Sequence, residues 1–171
     1  MADQRSFRCA TCGEIHEGLP TDFGFRLPDE VHALTYLDRY RRTRSNADLC
    51  TLDETRHFIR GVLPLPILET DDTFVWGIWV EVASDCHDSY IQQWDSPVQD
   101  VTPFSGVVVN ELPGYEGTMG IEVEVHFGAA SERPTLRVVD RVQHALALEQ
   151  RHGITRKRHH DILEATGFFN K

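Results

Sequence analysis

The chain has 171 residues, 40% hydrophobic and 26% charged, and its 27 acidic against 17 basic side chains leave a formal net charge of −10. This is enough chain to bury a core without disulfide staples, and its composition is that of a soluble globular protein. The acidic balance argues against a nucleic-acid backbone as partner, no apolar run approaches the roughly 20 residues of a membrane span, and the first residues lack the apolar core of a signal peptide, so a cytoplasmic protein is expected.

Residues 7–16 read FRCATCGEIH. A Cys-x-x-Cys turn gathers two thiolates at one point, and Gly13 supplies the positive φ that closes it, which is one half of a zinc knuckle. A redox pair would instead open a helix, and Gly13 and Pro20 discourage one. A structural zinc takes four ligands. Cys9 and Cys12 therefore need partners, and Cys50 is the expected third, although a lone cysteine is more often a small buried apolar residue. The fourth is His16 or His57, with His16 nearer to the pair in sequence; Cys86 reads as an ordinary thiol.

Residues 28–44 carry a helical pattern, with Pro28, Asp29 and Glu30 in the first turn and Val31, Leu34, Leu37 and Tyr40 recurring on one side. The basic run of Arg39, Arg41, Arg42 and Arg44 ends it as a solvated face. Residues 57–82 follow as two strands joined by an acidic turn. In the second, Phe74, Trp76, Ile78, Val80 and Val82 alternate with Val75, Gly77, Trp79 and Glu81, one wholly apolar face and one mixed. Pro64 and Pro66 cannot donate to a ladder, so that part of the first strand must lie at an edge or leave the sheet.

Residues 84–94 read as a helix capped by Ser84 or Asp85, with Tyr90, Ile91 and Trp94 inward. Strands are expected over residues 104–112, 120–127 and 134–140, separated by turns too short for crossovers, which favours antiparallel pairing. Two short helices close the chain, from His144 to a stop at Gly153 and from a cap at Thr155 to a stop at Gly167. Ile162 and Leu163 dock on the sheet; His159 and His160 read as surface residues. The expected fold is α+β, a mainly antiparallel sheet with flanking helices and an N-terminal zinc-knuckle-like segment. All of it forms one domain, with residues 1–55 packed on residues 56–171.

Taken together, FRCATCGEIH, Cys50, FIRG (58–61), FVWGIWV (74–80), Trp94, LPGY (112–115) and HALALEQ (144–150) with Gly153, Ile154 and Thr155 resemble the bacterial proteins of domain-of-unknown-function family 2199. Ala145 departs from the proline expected there. The resemblance implies a small bacterial cytosolic protein and brings no activity with it.

No phosphate loop, nucleophile elbow or His-Glu-x-x-His helix is present. The expected role is a non-catalytic binding or regulatory protein with a structural zinc, its acidic surface suiting a basic protein partner. The alternative is a small enzyme using a polar site near His144, Glu149 and Arg60, with Gln150 beside them. Arg60 next to Gly61 suits a carboxylate or phosphate, or an internal ion pair.

Overall fold

The structure is a computed structural model and describes residues 6–8, 15–94, 102–129 and 131–170. The elements, in chain order, are β1 (Ser6–Arg8), β2 (Ile15–Glu17), β3 (Asp22–Gly24), α1 (Asp29–His32), α2 (Tyr36–Arg42), β4 (Thr43–Ser45), β5 (Leu49–Leu52), β6 (Arg56–Pro66) and β7 (Thr73–Val82). They continue with α3 (Ser84–Gln93), β8 (Phe104–Val108), β9 (Glu122–His126), β10 (Thr135–Val138), α4 (Ala145–His152) and α5 (Arg156–Ala165). The class is α+β, as expected.

The expected hairpin is the centre of the molecule. β6 and β7 pair antiparallel from His57↔Val82 to Pro66↔Thr73. β7 continues to β8, β8 to β9 and β9 to β10, all antiparallel. β10 then returns to β6 through a parallel contact, Thr135↔Val62, so β6, β7, β8, β9 and β10 close into a barrel. Short turns between hydrophobic strands announce antiparallel neighbours but not closure. Closure comes from the length of β6: its first residues pair with β5, and Val62, further along the same side, meets β10. β7 is divided likewise, with β8 at Val80 and Glu81 and a parallel β3 at residues 75–77.

The prolines fit this division. The amides of Arg60 and Val62 point away from β7, to Asp48 O at 2.9 Å and Pro134 O at 2.9 Å. Pro64 and Pro66 keep that parity, so their missing N–H groups fall on the side β10 has left rather than in the β6–β7 ladder. β6 therefore runs through both prolines, from Arg56 to Pro66.

Ile59, Leu63, Leu65, Trp76, Ile78, Val80, Val123, Val125 and Leu136 fill the barrel. Leu146 and Ala147 of α4 and Ile162 and Leu163 of α5 close it. Outside the barrel a second apolar cluster joins Cys50, Leu52, Phe58 and Trp79 to Val31 and Val109. Asn110 clips it together. Its Oδ1 accepts from Trp79 N at 2.8 Å, and its Nδ2 donates to Leu27 O at 3.0 Å and to Asp29 Oδ1 at 2.9 Å. A side chain thus continues the pairing where β8 stops at Val108.

Four expectations change. The helical stretch at 28–44 is two helices, because the Thr35 hydroxyl accepts from Asp38 N at 3.2 Å and starts α2 afresh. The restart turns Leu37 and Tyr40 out into solvent. Residues 43 and 44, expected to end that helical stretch, instead begin the β4–β5 hairpin that carries Cys50. Ile91 of α3 is exposed, and His159 and His160 of α5 are both buried.

Candidate functional site

The expected metal ligands fall in different settings. Cys9, Cys12 and the side chain of His16 lie outside the described residues; β1 and β2, paired from Ser6↔Glu17 to Arg8↔Ile15, bracket the two cysteines. Cys50 is 0% exposed in the apolar cluster outside the barrel. Burial pushes its thiol up to about 11, which disfavours a thiolate unless a metal holds it. Cys50 pairs with Phe58 and Thr51 with His57, so Cys50 and His57 face opposite sides of the sheet. His57 instead lies against His87, with ring centroids 4.7 Å apart and the rings tilted by 38°. Among the described residues, the metal-capable group that assembles is His160, Asp161 and Glu164 on α5, with ligand atoms within 4.8 Å of one another. Lys157 already holds Asp161 at 2.9 Å.

His144 and Glu149 sit together but are engaged in holding the fold. His144 caps α4 by accepting from Leu146 N at 3.0 Å, and its other nitrogen meets Glu116 O. The Glu149 carboxylate accepts from Tyr115 Oη on one oxygen and from Arg158 Nε at 2.7 Å on the other. Arg158 Nη2 donates to Gly114 O at 2.8 Å, and its guanidinium lies over the Tyr115 ring at 4.8 Å. Burial first, then the carboxylate, raises the Tyr115 hydroxyl well above the usual phenol range. Burial opposes the Arg158 charge, but Glu149 outweighs it and holds the guanidinium more firmly protonated. Gln150 bonds to Val138 N at 2.8 Å and Leu136 O at 2.9 Å, standing in for a neighbouring strand on β10. The LPGY and HALALEQ segments therefore meet as a lock between the barrel and the two C-terminal helices. Arg158 pairs with Glu149, nine residues back across a turn, and nothing local to either residue signals the pairing.

Arg60 stands apart. Its register partner is Trp79, while its chain neighbours Ile59 and Gly61 face into the barrel: a Cβ on Gly61 would lie 2.7 Å from Leu136. Arg60 therefore projects from the outer face, away from His144 and Glu149. Three concavities, at Tyr90 and Trp94, at Pro64 and Gln150, and along α2, include neither Arg60 nor His144 in their linings.

α2 is the other exposed feature. None of its residues is buried, and Tyr36, Leu37 and Tyr40 are 83%, 51% and 73% exposed. Polar bonds hold it in place instead. Arg39 donates to the carbonyls of Val31, His32 and Leu34, and Arg42 makes a two-pronged pair with Asp53 at 2.8 and 2.7 Å. Arg41 and Arg44 flank the same shallow depression as the tyrosines. No helix among the described residues is long and apolar enough to cross a membrane.

Residues 8–154 match the family described as uncharacterized proteins conserved in bacteria, DUF2199. Neither a curated protein nor a solved structure matches the chain. The match covers most of its length, and the chain belongs to that family.

Proposed function

We propose that this protein is a non-catalytic binding protein that docks a partner on α2. The observation that carries the reading is a helix burying none of its residues while presenting Tyr36, Leu37 and Tyr40 together to solvent. Exposed aromatic and aliphatic side chains on one rigid surface are the raw material of an interface. They are not needed to hold the helix down, since Arg39 and Arg42 do so. The chain's charge of −10 by itself favours a basic partner. Around α2, Arg41 and Arg44 reverse that sign locally, so the proposed partner is a protein segment carrying carboxylates beside an apolar anchor. The engagement of His144 and Glu149 in structural bonds speaks for binding over the alternative of a small enzyme.

The reading includes a structural zinc on Cys9 and Cys12, with His16 as a third ligand, in a protein that stays in the cytoplasm. The support is the Cys-x-x-Cys spacing inside a stretch bracketed by paired strands. Cys50 is better accounted for by packing, and its substitution tests that directly.

Two measurements test the reading. Wild type and the Tyr36→Ser/Tyr40→Ser double variant are co-purified from the native bacterium. An acidic protein retained by wild type and lost from an equally stable double variant supports it; identical retention by both sinks the α2 surface. Metal content of purified protein is compared with that of Cys9→Ser and Cys50→Ser. Loss of zinc in the first and its retention in the second is the expected pattern; retention in both removes the assignment to Cys9, and wild type without zinc removes the metal.

A further inference from the structure

We propose that Arg60 is the recognition group of a site for a small oxyanion, a carboxylate or phosphate ligand, on the outer face of the barrel. The floor of the site is built from two glycines on neighbouring strands. Gly24 of β3 and Gly77 of β7 are register partners, and Arg60 reaches across both from β6. A Cβ at Gly24 would lie 2.4 Å from Arg60 Nη2, and one at Gly77 would lie 3.4 Å from it. The guanidinium therefore occupies the volume that a side chain at Gly24 would fill and lies in contact over Gly77. Glycine within a strand weakens it and commonly marks a close approach by another group; here that group is a cation lying flat on the sheet.

Among the described residues the cation has no paired counter-charge. Arg60 Nε is buried and meets no acceptor, and among the described residues the guanidinium takes part in no ion pair. Asp48, whose carboxylate does act on it, is held by Arg133 at 2.6 Å. Burial and the neighbouring Arg133 charge both press on the Arg60 guanidinium, and Asp48 only partly relieves it. A partly desolvated arginine without a counter-charge is unfavourable in the empty protein and becomes favourable when an oxyanion arrives. Other arginines of the same outer region show the contrast: Arg56 is doubly paired with Glu81 and Glu30. The ligand must be small or present a terminal oxyanion, because Gly24 is exposed while Trp79 and its surroundings are packed beneath Phe25 and Val31.

Thermal unfolding in inorganic phosphate and in succinate, each against sodium chloride of equal ionic strength, tests the site. Wild type is expected to gain melting temperature in a saturable way with at least one of the two, and the more effective anion identifies the ligand class. Arg60→Met removes the gain. Gly24→Ala keeps the positive charge but evicts the guanidinium from its floor, and it is expected to weaken the response at least tenfold in concentration while the protein stays folded. A wild-type response no larger than that to chloride overturns the proposal, as does an undiminished response in Arg60→Met. Both α2 tyrosines are intact in these variants, so partner retention through α2 is expected to persist in them, and the two surfaces stand or fall separately.

Discussion

Glu149 and Arg158 lie 2.7 Å apart across the turn that joins α4 to α5. Neither residue is more than about a quarter exposed at its side chain, with values of 20% and 27%. The pair is also tied to the β8–β9 connection through Tyr115 and Gly114. Helices that plug one end of the barrel are thus bound to the loop they rest on by a charged bond as well as by Leu146, Ile162 and Leu163.

Removing one side of this arrangement leaves the other unsatisfied. Glu149→Gln keeps the shape but strips the counter-charge from Arg158, and the expected loss is about 2–3 kcal/mol of unfolding free energy. Tyr115→Phe leaves the ion pair and deletes one hydrogen bond, with an expected loss of about 1 kcal/mol. Urea denaturation of the two single variants and the double variant gives the coupling. Additive effects would mean that Tyr115 and Glu149 do not act as one unit.

Gly153 makes that geometry reachable. It has φ 86° and ψ 171°, a region essentially restricted to glycine. A Cβ there would lie 2.8 Å from Leu68 Cδ2 and 2.9 Å from Pro66 O. The next residue, Ile154, donates to Pro66 O at 2.8 Å and accepts from Leu68 N at 2.8 Å, stitching the turn to the end of β6. Gly153→Ala is therefore expected to destabilise by about 2 kcal/mol or more, from strain and overlap combined. A melting temperature within a degree of wild type would contradict this account of the turn.

The turn also shows what sequence reading reaches and where it stops. The helix stop at Gly153 and the cap at Thr155 were legible, because each is chemistry local to a few residues. The β6–β7 hairpin was legible from its alternation. Closure of the barrel was not, since Thr135↔Val62 joins residues far apart in sequence and nothing in either segment encodes the meeting. His159 and His160 illustrate the same limit. Adjacent helix positions diverge in direction and do not easily share one metal, and the pair read as surface residues. Yet His159 packs on Phe74 and His160 on Phe169, from different parts of the chain. Arg60 was singled out as an anion-binding candidate, but its glycine floor lies on strands whose register only the fold supplies. Of the proposed ligand set, Cys50 is the one whose surroundings the structure describes, and they are apolar.

That setting makes a chemical prediction. Cys50 is fully buried with its thiol raised to about 11, whereas Cys86 is only half-buried. Alkylation of native protein followed by peptide mass mapping is expected to label Cys86 well before Cys50, since both thiolate fraction and access favour it. Cys50→Ala is expected to cost about 1 kcal/mol and Cys50→Ser more, because the serine hydroxyl would enter an apolar cluster without a partner. Rapid labelling of Cys50 in folded protein would mean that β5 opens readily.

Acid stability turns on two buried imidazoles. His87 lies against His57, with Asp88 at 4.0 Å, and burial followed by the His57 charge holds it below its ordinary value of 6.5. His159 bonds to Pro20 O at 2.7 Å and packs on Phe74. Burial lowers it too, opposed by that carbonyl and by Asp72, while neighbouring His160 adds to the lowering. Both groups bind protons more weakly folded than unfolded, so stability is complete above about pH 6.5 and falls as the pH drops through 6.5 toward the depressed folded values. The carboxylates of Glu81 and Asp53, lowered by Arg56 and Arg42, have an ordinary range near 4 and lose their contribution only in stronger acid. A urea midpoint measured from pH 7.5 to pH 5 therefore reads the histidines. It is expected to decline over that window in wild type and to decline less steeply in His87→Phe. A flat wild-type profile, or an unchanged slope in His87→Phe, would show that His87 does not remain neutral inside the fold.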